Sequence, residues 1–339
     1  MNAAATKVFV SHPSDKLDLY FGARALTALR SIADVKLNAQ PRELEADELV
    51  AAAAGCDALI AYRQTPGTDT LFAGLPTLAA FIRCAIDIRT VDVDAANRHG
   101  VLVTQASAGF QAAVAEWIVG AMISLGRGIH RYAAAYRRGD TPPPVMGREL
   151  RGSTLGIVGY GGIGHALGDL ALAFGMQVLV HDPRPAALQP GVQALPFDQL
   201  LAESDFVVCL APANAQTAGL FGSAAFGAMK PGACFVNAAR GELVDETALL
   251  AALDSGGLAA CALDVGSTAD QMPSPLLARH ARVLATPHVG GLTPPAVEHQ
   301  ALETVEQLRA LVEGRLPPGA VNPGHARRWQ HWRHMSSAH

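Results

Sequence analysis

The stretch that most limits what this chain can fold into is Thr154 to Pro183, TLGIVGYGGIGHALGDLALAFGMQVLVHDP. Leu155 to Val158 is an apolar run of strand length, followed by Gly159, Gly161 and Gly164 in G-x-G-x-x-G spacing. An Ala/Leu-rich segment to Phe174 predicts a helix. Gln177 to His181 predicts a second strand, ending at Asp182, 23 positions past the first glycine. A strand, a tight turn, a helix and a strand closed by an acid imply a parallel α/β sheet. Each part has a physical task. Gly159 permits a turn that a Cβ would block. Gly161 lets the backbone approach a pyrophosphate, and Gly164 lets the helix pack on the strand. The unbonded N–H groups of the helix start attract phosphate. Asp182 can accept hydrogen bonds from both ribose hydroxyls, and its charge repels a 2′-phosphate, so the expected cofactor is NAD rather than NADP. Arg184 reads as a solvated loop charge, against the alternative of a 2′-phosphate partner.

The chain has 339 residues, enough for two domains. Half the residues are hydrophobic, 17% are charged and the formal net charge is −4, so no basic excess points to nucleic acid. The opening MNAAATKVFVSH lacks the basic and apolar regions of a signal peptide, and no apolar stretch is long enough for a membrane span. The 5 cysteines, at 56, 84, 209, 234 and 261, form no C-x-x-C. They read as buried reduced thiols, with no metal site and no disulfide framework, in a cytoplasmic protein.

Before the glycine turn, Lys7–Ser11, Asp57–Tyr62, Ala80–Ile86 and Val101–Gln105 predict strands, and Leu17–Ile32 and Glu43–Ala54 predict helices. Their alternation implies another parallel sheet, without a phosphate turn and so with a different use. Gly109–Leu125 is apolar nearly all round and reads as a buried helix at a domain bridge or a subunit contact. Phe206–Ala211, Cys234–Ala238, Ala259–Val265 and Val283–Thr286 complete a sheet of six-stranded type. Pro294–Gly314 predicts a long amphipathic helix. The basic, His-rich stretch from Pro323 onward reads as an irregular, frayed tail.

Ligands of open parallel sheets gather beyond the carboxyl ends of the strands. Arg240, Asp264 and His288 each follow a predicted strand. Each alone has a structural reading. Together, beside a nicotinamide site, they suggest hydride transfer, with the arginine holding an anionic substrate and the histidine moving the proton.

At these residues the chain resembles the D-isomer-specific 2-hydroxyacid dehydrogenases. The resemblance rests on LGIVGYGGIG (155–164), VLVHDP (178–183), SDFVVCLAPANAQT (204–217), FVNAARGELVDETAL (235–249), ALDV (262–265) and ATPHVGG (285–291), with VAEWIVGAM (114–122) matching an inter-domain helix. It implies an α/β fold of two doubly wound, Rossmann-like parallel-sheet domains. A flavodoxin-like substrate domain, 1–107 plus 290–339, would be split by an NAD-binding domain, 108–289, that includes a dimerisation helix and arm near 109–151. Arg240 and His288 match the catalytic pair. Gly159, Gly161, Gly162, Ile163, Gly164, Asp182, Pro212, Thr217, Ala238, Ala239, Arg240, Asp264, His288 and Gly290 match cofactor positions. Gln64, Thr65, Ala85, Ile86 and Arg240 match substrate positions. The implied activity is hydride transfer between NAD(H) and a 2-hydroxy or 2-oxo acid, in a homodimer without membrane or nucleic-acid partners. A catalytically weakened NAD(H) sensor on the same fold is the alternative.

Two departures mark this chain. The family glutamate that hydrogen-bonds the histidine falls at Ala269 here; either Asp270 reaches His288 through a shifted loop, or the histidine has lost its carboxylate. The substrate-side loop reads RCAIDIRTVDV (83–93), with Asp87 in place of a glycine and Arg89 in place of an aspartate. These two read either as a structural pair or as a change in the carboxylate pocket.

Overall fold

A computed structural model describes residues 6–184, 187–268 and 271–337, with side chains described through 332. The chain divides into two units, Met1–Gly109 with Pro294–His339, and Phe110–Thr293.

The first unit holds β1 (Lys7–Val10), β2 (Asp34–Leu37), β3 (Ala58–Ala61), β4 (Ala80–Arg83) and β5 (Leu102–Gln105). They pair in the order β2-β1-β3-β4-β5, all parallel. Every residue of β3 and β4 is buried, as expected of strands covered on both faces. One face packs against the helices Gly22–Arg30 and Pro294–Val312, and the other against Ala46–Ala53 and Asp69–Gly74. The helix expected over Leu17–Ile32 is two, Leu17–Tyr20 and Gly22–Arg30. Gly22, at φ +82°, takes a left-handed conformation that breaks the run.

The tail is also ordered, against expectation. Pro323–His325 forms a 3₁₀ turn and Arg327–Ser337 a helix. Trp329 is buried in the first unit's core, its Nε1 donating to the Leu311 carbonyl at 3.3 Å, and Trp332 packs beside it. Arg328 donates to the Leu75 carbonyl at 2.7 Å, closing the end of the Asp69–Gly74 helix. Tryptophans three apart give a short helix one apolar edge, which a basic composition hides.

The second unit holds β6 (Thr154–Val158), β7 (Gln177–His181), β8 (Val192–Ala194), β9 (Phe206–Cys209), β10 (Ala233–Asn237), β11 (Leu258–Leu263) and β12 (Val283–Ala285). Their order is β12-β11-β10-β9-β6-β7-β8, again all parallel. The sheet therefore has seven strands rather than six. The extra β8 is a three-residue edge strand with two of its residues exposed, so it carries no hydrophobic run to announce it. The apolar helix Gln111–Arg127 buries Val114, Ile118, Met122 and Leu125 against the helix Gly162–Ala173 and β10 and β11. Both units are doubly wound α/β sheets. All five cysteines are buried and unpaired. Among the described residues no single helix is long and apolar enough to cross a membrane.

Candidate active site

The strand order of the second unit fixes the order of side chains along its carboxyl rim. His288 lies beyond β12, Asp264 beyond β11, Arg240 beyond β10, Pro212 and Thr217 beyond β9, the glycine turn beyond β6 and Asp182 beyond β7. Neighbouring strands are about 4.8 Å apart, so the strands that deliver Arg240 and His288 lie about 10 Å apart, with the Asp264 strand between them. β7 lies on one side of β6 and β9 on the other, and this reversal opens a crevice at the glycine turn.

The turn fits a dinucleotide. Gly159 has φ +96°, and a Cβ there would lie 2.6 Å from the backbone of Leu210 and Ala211, where β9 ends. A Cβ on Gly161 would meet nothing within 4 Å, so the backbone faces open space. A Cβ on Gly164 would lie 2.9 Å from the Gly159 carbonyl. The helix Gly162–Ala173 starts with Gly162 and Ile163, and its N-cap residue, Gly161, has no side chain with which to cap the first N–H groups, which suits them to an anion. Asp182 is anchored: Oδ2 accepts from the Tyr160 N–H and Oδ1 from the Arg184 N–H, both at 2.8 Å. Carboxylate oxygens have further lone pairs for a ribose. The Pro212–Thr217 loop is closed by Thr217 Oγ1, which donates to the Pro212 carbonyl and accepts from the Asn214 N–H at 3.0 Å.

Asn237, unremarked in the sequence, builds the Arg240 loop. Its buried side chain accepts from the Ala239 N–H at 3.0 Å and donates to the Arg240 carbonyl at 2.9 Å, holding Ala238 and Ala239 in a fixed turn. A buried asparagine ending an apolar strand was the signal to read. Arg240 is half-buried, its Nη1 donating to the Ala239 carbonyl at 2.7 Å. A Cβ on Gly241 would fall 2.2 Å from the Gly266 backbone, so the β10 and β11 loops touch through two glycines.

Asp264 is buried and organises the histidine loop. Oδ1 accepts from Thr286 Oγ1 at 2.6 Å and the Val289 N–H at 2.8 Å, and Oδ2 accepts from the Gly290 N–H at 2.7 Å. Gly290 must lack a Cβ, which would stand 2.8 Å from Oδ2. Between these anchors His288 is half-buried at φ +56°, a conformation rare for a side-chain-bearing residue and held here by the bonds on either side. Asp270, expected near the histidine, lies outside the described residues. Gln271 follows with φ +57°, and its Oε1 is buried without a partner among the described residues.

The expected substrate residues lie on the rim of the first unit. Gln64 is half-buried. Thr65 is buried, its hydroxyl hydrogen-bonded to Ser11 Oγ at 2.8 Å. Ala85 is half-buried and Ile86 exposed beyond β4. Two residues missed in the sequence hold this rim. Arg83 is fully buried and donates to the carbonyl of Thr65 at 2.7 Å and the hydroxyl of Thr90 at 2.8 Å, tying the β3 loop to the β4 loop. Burial, then Arg83, push His12 down to about 3, so it stays neutral between Phe21 and Tyr62. Asp87 and Arg89 form a two-pronged ion pair with contacts of 2.9–3.1 Å.

Residues 119–290 match the family model for the D-isomer specific 2-hydroxyacid dehydrogenase NAD-binding domain. The chain is 37% identical over 282 residues to D-3-phosphoglycerate dehydrogenase of Mycobacterium tuberculosis, an alignment covering 82% of this chain and 53% of that one. Among solved structures it is similar to a Thermus thermophilus protein (TM-score 0.84, 31% identity, 93% of this chain and 100% of that one). It is also similar to the apo form of Escherichia coli D-lactate dehydrogenase (TM-score 0.80, 27% identity, 93% and 99%). The chain belongs to the D-isomer-specific 2-hydroxyacid dehydrogenase family, and its second unit is the family's NAD-binding domain. It spans about half the length of the phosphoglycerate dehydrogenases it matches.

Proposed function

We propose that this chain is an NAD(H)-dependent oxidoreductase that interconverts a 2-oxo acid and the corresponding D-2-hydroxy acid. The observation that carries this reading is the delivery of Arg240, Asp264 and His288 by three consecutive parallel strands to the rim that also bears the glycine turn. NADH, held by the glycine turn, Asp182 and the Pro212–Thr217, Ala238–Ala239 and Gly290 segments, supplies the hydride. Arg240 offers a planar fork of donors to the substrate carboxylate and the developing alkoxide. His288 in its protonated form gives its proton to that oxygen, and takes it back in oxidation. Asp264 keeps the histidine loop in place. Gln64, Thr65, Ala85 and Ile86 are the substrate positions that the family resemblance implies in the first unit.

The assay is NADH consumption over a panel of 2-oxo acids from pH 5 to 9. Turnover of at least one, abolished in Arg240→Ala with NADH binding retained, is the expected result. Tight NADH binding without turnover of any would replace this reading with a coenzyme sensor. The chain further acts as a homodimer in the cytoplasm. Supporting the dimer, Tyr136 and Met146 in the 129–146 arm are 64% and 96% exposed, beside exposed Ile129 and Val145, an apolar surface suited to a second copy. Sedimentation at micromolar concentration checks it, and a monomer would refute it.

A further inference from the structure

Tyr160 stands between the first two glycines of the turn, and three pieces of the coenzyme site meet on it. Its N–H donates to Asp182 Oδ2. Its buried ring stacks with His165, in the first turn of the phosphate-facing helix, at 4.3 Å between centroids. Its hydroxyl donates to Gln189 Oε1. Gln189 belongs to the segment that leaves β7 through Asp182 and Arg184, and its amide also donates to Asp169 Oδ1 at 2.5 Å and to the His165 carbonyl at 3.3 Å. One glutamine thus ties that segment to the helix. Gly168 makes room for the tie: a Cβ there would lie 2.9 Å from Gln189 Oε1 and 3.1 Å from the Tyr160 hydroxyl. Burial, and then Asp169, push the Tyr160 hydroxyl above its ordinary range, so it remains a donor at working pH.

We propose that Gln189 is a positioning residue for the coenzyme: through the Tyr160 hydroxyl it fastens the Asp182–Arg184 segment to the helix, and so sets the preference for NADH over NADPH. The discrimination comes from a carboxylate fixed where a 2′-phosphate would sit, and a carboxylate discriminates only while its segment is held. Loosening the segment weakens the ribose contact of NADH. It also relieves the repulsion of NADPH and lets Arg184 approach the phosphate. The inference stands on coenzyme binding alone, so failure of the 2-oxo acid assay would leave it intact.

The test is fluorescence titration of NADH and NADPH with Gln189→Ala, Tyr160→Phe, the double variant and Gly168→Ala, each with a thermal unfolding curve. Loss of one partly buried hydrogen-bonded pair predicts a rise in the NADH Kd of roughly five- to tenfold in Gln189→Ala. The NADPH Kd should fall, or rise by less than twofold. Tyr160→Phe removes only the Tyr160–Gln189 bond and should shift the coenzyme preference in the same direction by an equal or smaller factor, and the double variant should add nothing beyond Gln189→Ala, because the shared bond is already lost there. In Gly168→Ala the helix gains propensity while the methyl group separates the pair, so NADH affinity should fall with an unfolding midpoint unchanged or higher. A purely structural role would lower the midpoint and move both coenzymes together. An unchanged NADH Kd in Gln189→Ala, an equal rise for NADPH, or additive effects in the double variant would overturn the proposal.

Discussion

Asp264→Asn separates two roles for a buried carboxylate: anchoring the histidine loop, and the place beside the coenzyme that the family resemblance implies. In the structure its oxygens accept three hydrogen bonds, all from the loop that carries His288. An amide of the same shape keeps one acceptor oxygen. It can satisfy Thr286 and Val289 through that oxygen, but its NH₂ then faces the Gly290 N–H, whose acceptor now stands 2.7 Å away. A charge-assisted bond is lost and a buried donor is left facing another donor, a cost of about 2–4 kcal/mol. The histidine sits at φ +56° between those bonds, a conformation that relaxes by roughly 1–3 kcal/mol once released. Displacement of a proton donor by about 1 Å can lower turnover about a hundredfold. The expected pattern is a fall in urea-unfolding stability of that size, kcat down by about two orders of magnitude, and an NADH Kd within about threefold of the parent. Unaltered stability and kcat with a tenfold weaker NADH would show that Asp264 serves the coenzyme directly, and would refute the loop-anchor argument.

Replacing buried His12 by Asn should flatten the acid limb of the stability curve. The folded histidine is held neutral, down to about 3, by burial and then by Arg83, whereas the unfolded one protonates near 6.5. Its contribution is therefore complete above pH 6.5 and is lost as pH falls toward 3, at about 1.4 kcal/mol per pH unit; parallel curves for the two proteins would show that His12 titrates normally. Trp329→Ala should cost about 3–5 kcal/mol, because the side chain is buried in the first unit's core, and circular-dichroism melts that match the parent would return the tail to the frayed description. Arg89→Ala uncovers the Asp87 carboxylate and should raise the KM for an anionic 2-oxo acid roughly five- to tenfold, with kcat held. Adding Asp87→Asn should restore it, and a KM that stays high in the double variant would make the pair structural.

What could be read in advance follows from where the constraint on each residue lies. The glycine turn, Asp182 and the strand-end triplet were legible because their chemistry is local: a turn needs φ above zero, a parallel strand needs an unbroken apolar run, and a ligand needs a polar group at the end of one. The seven-stranded sheet was under-counted because β8 is an exposed edge that buries almost nothing, so selection leaves no apolar pattern on it. The tail was misread for the opposite reason. Its two tryptophans pack on the sheet that begins at Lys7, more than 300 positions earlier, and its arginine closes a helix at Leu75. Composition reports charge and not partner. Gln189 belongs to the same class, since its amide fastens segments whose adjacency only the fold creates, whereas Asn237 bonds within its own loop and could be read locally. Residues predicted to touch ligand were therefore visible one at a time, while those that hold them still were visible only as pairs. The departures at Asp87 and Arg89 sharpen this point. The sequence shows two unusual residues two apart; the structure shows a guanidinium laid along a carboxylate. That contact pairs the added charge with its opposite, which is what keeps an anionic substrate compatible with the function proposed above.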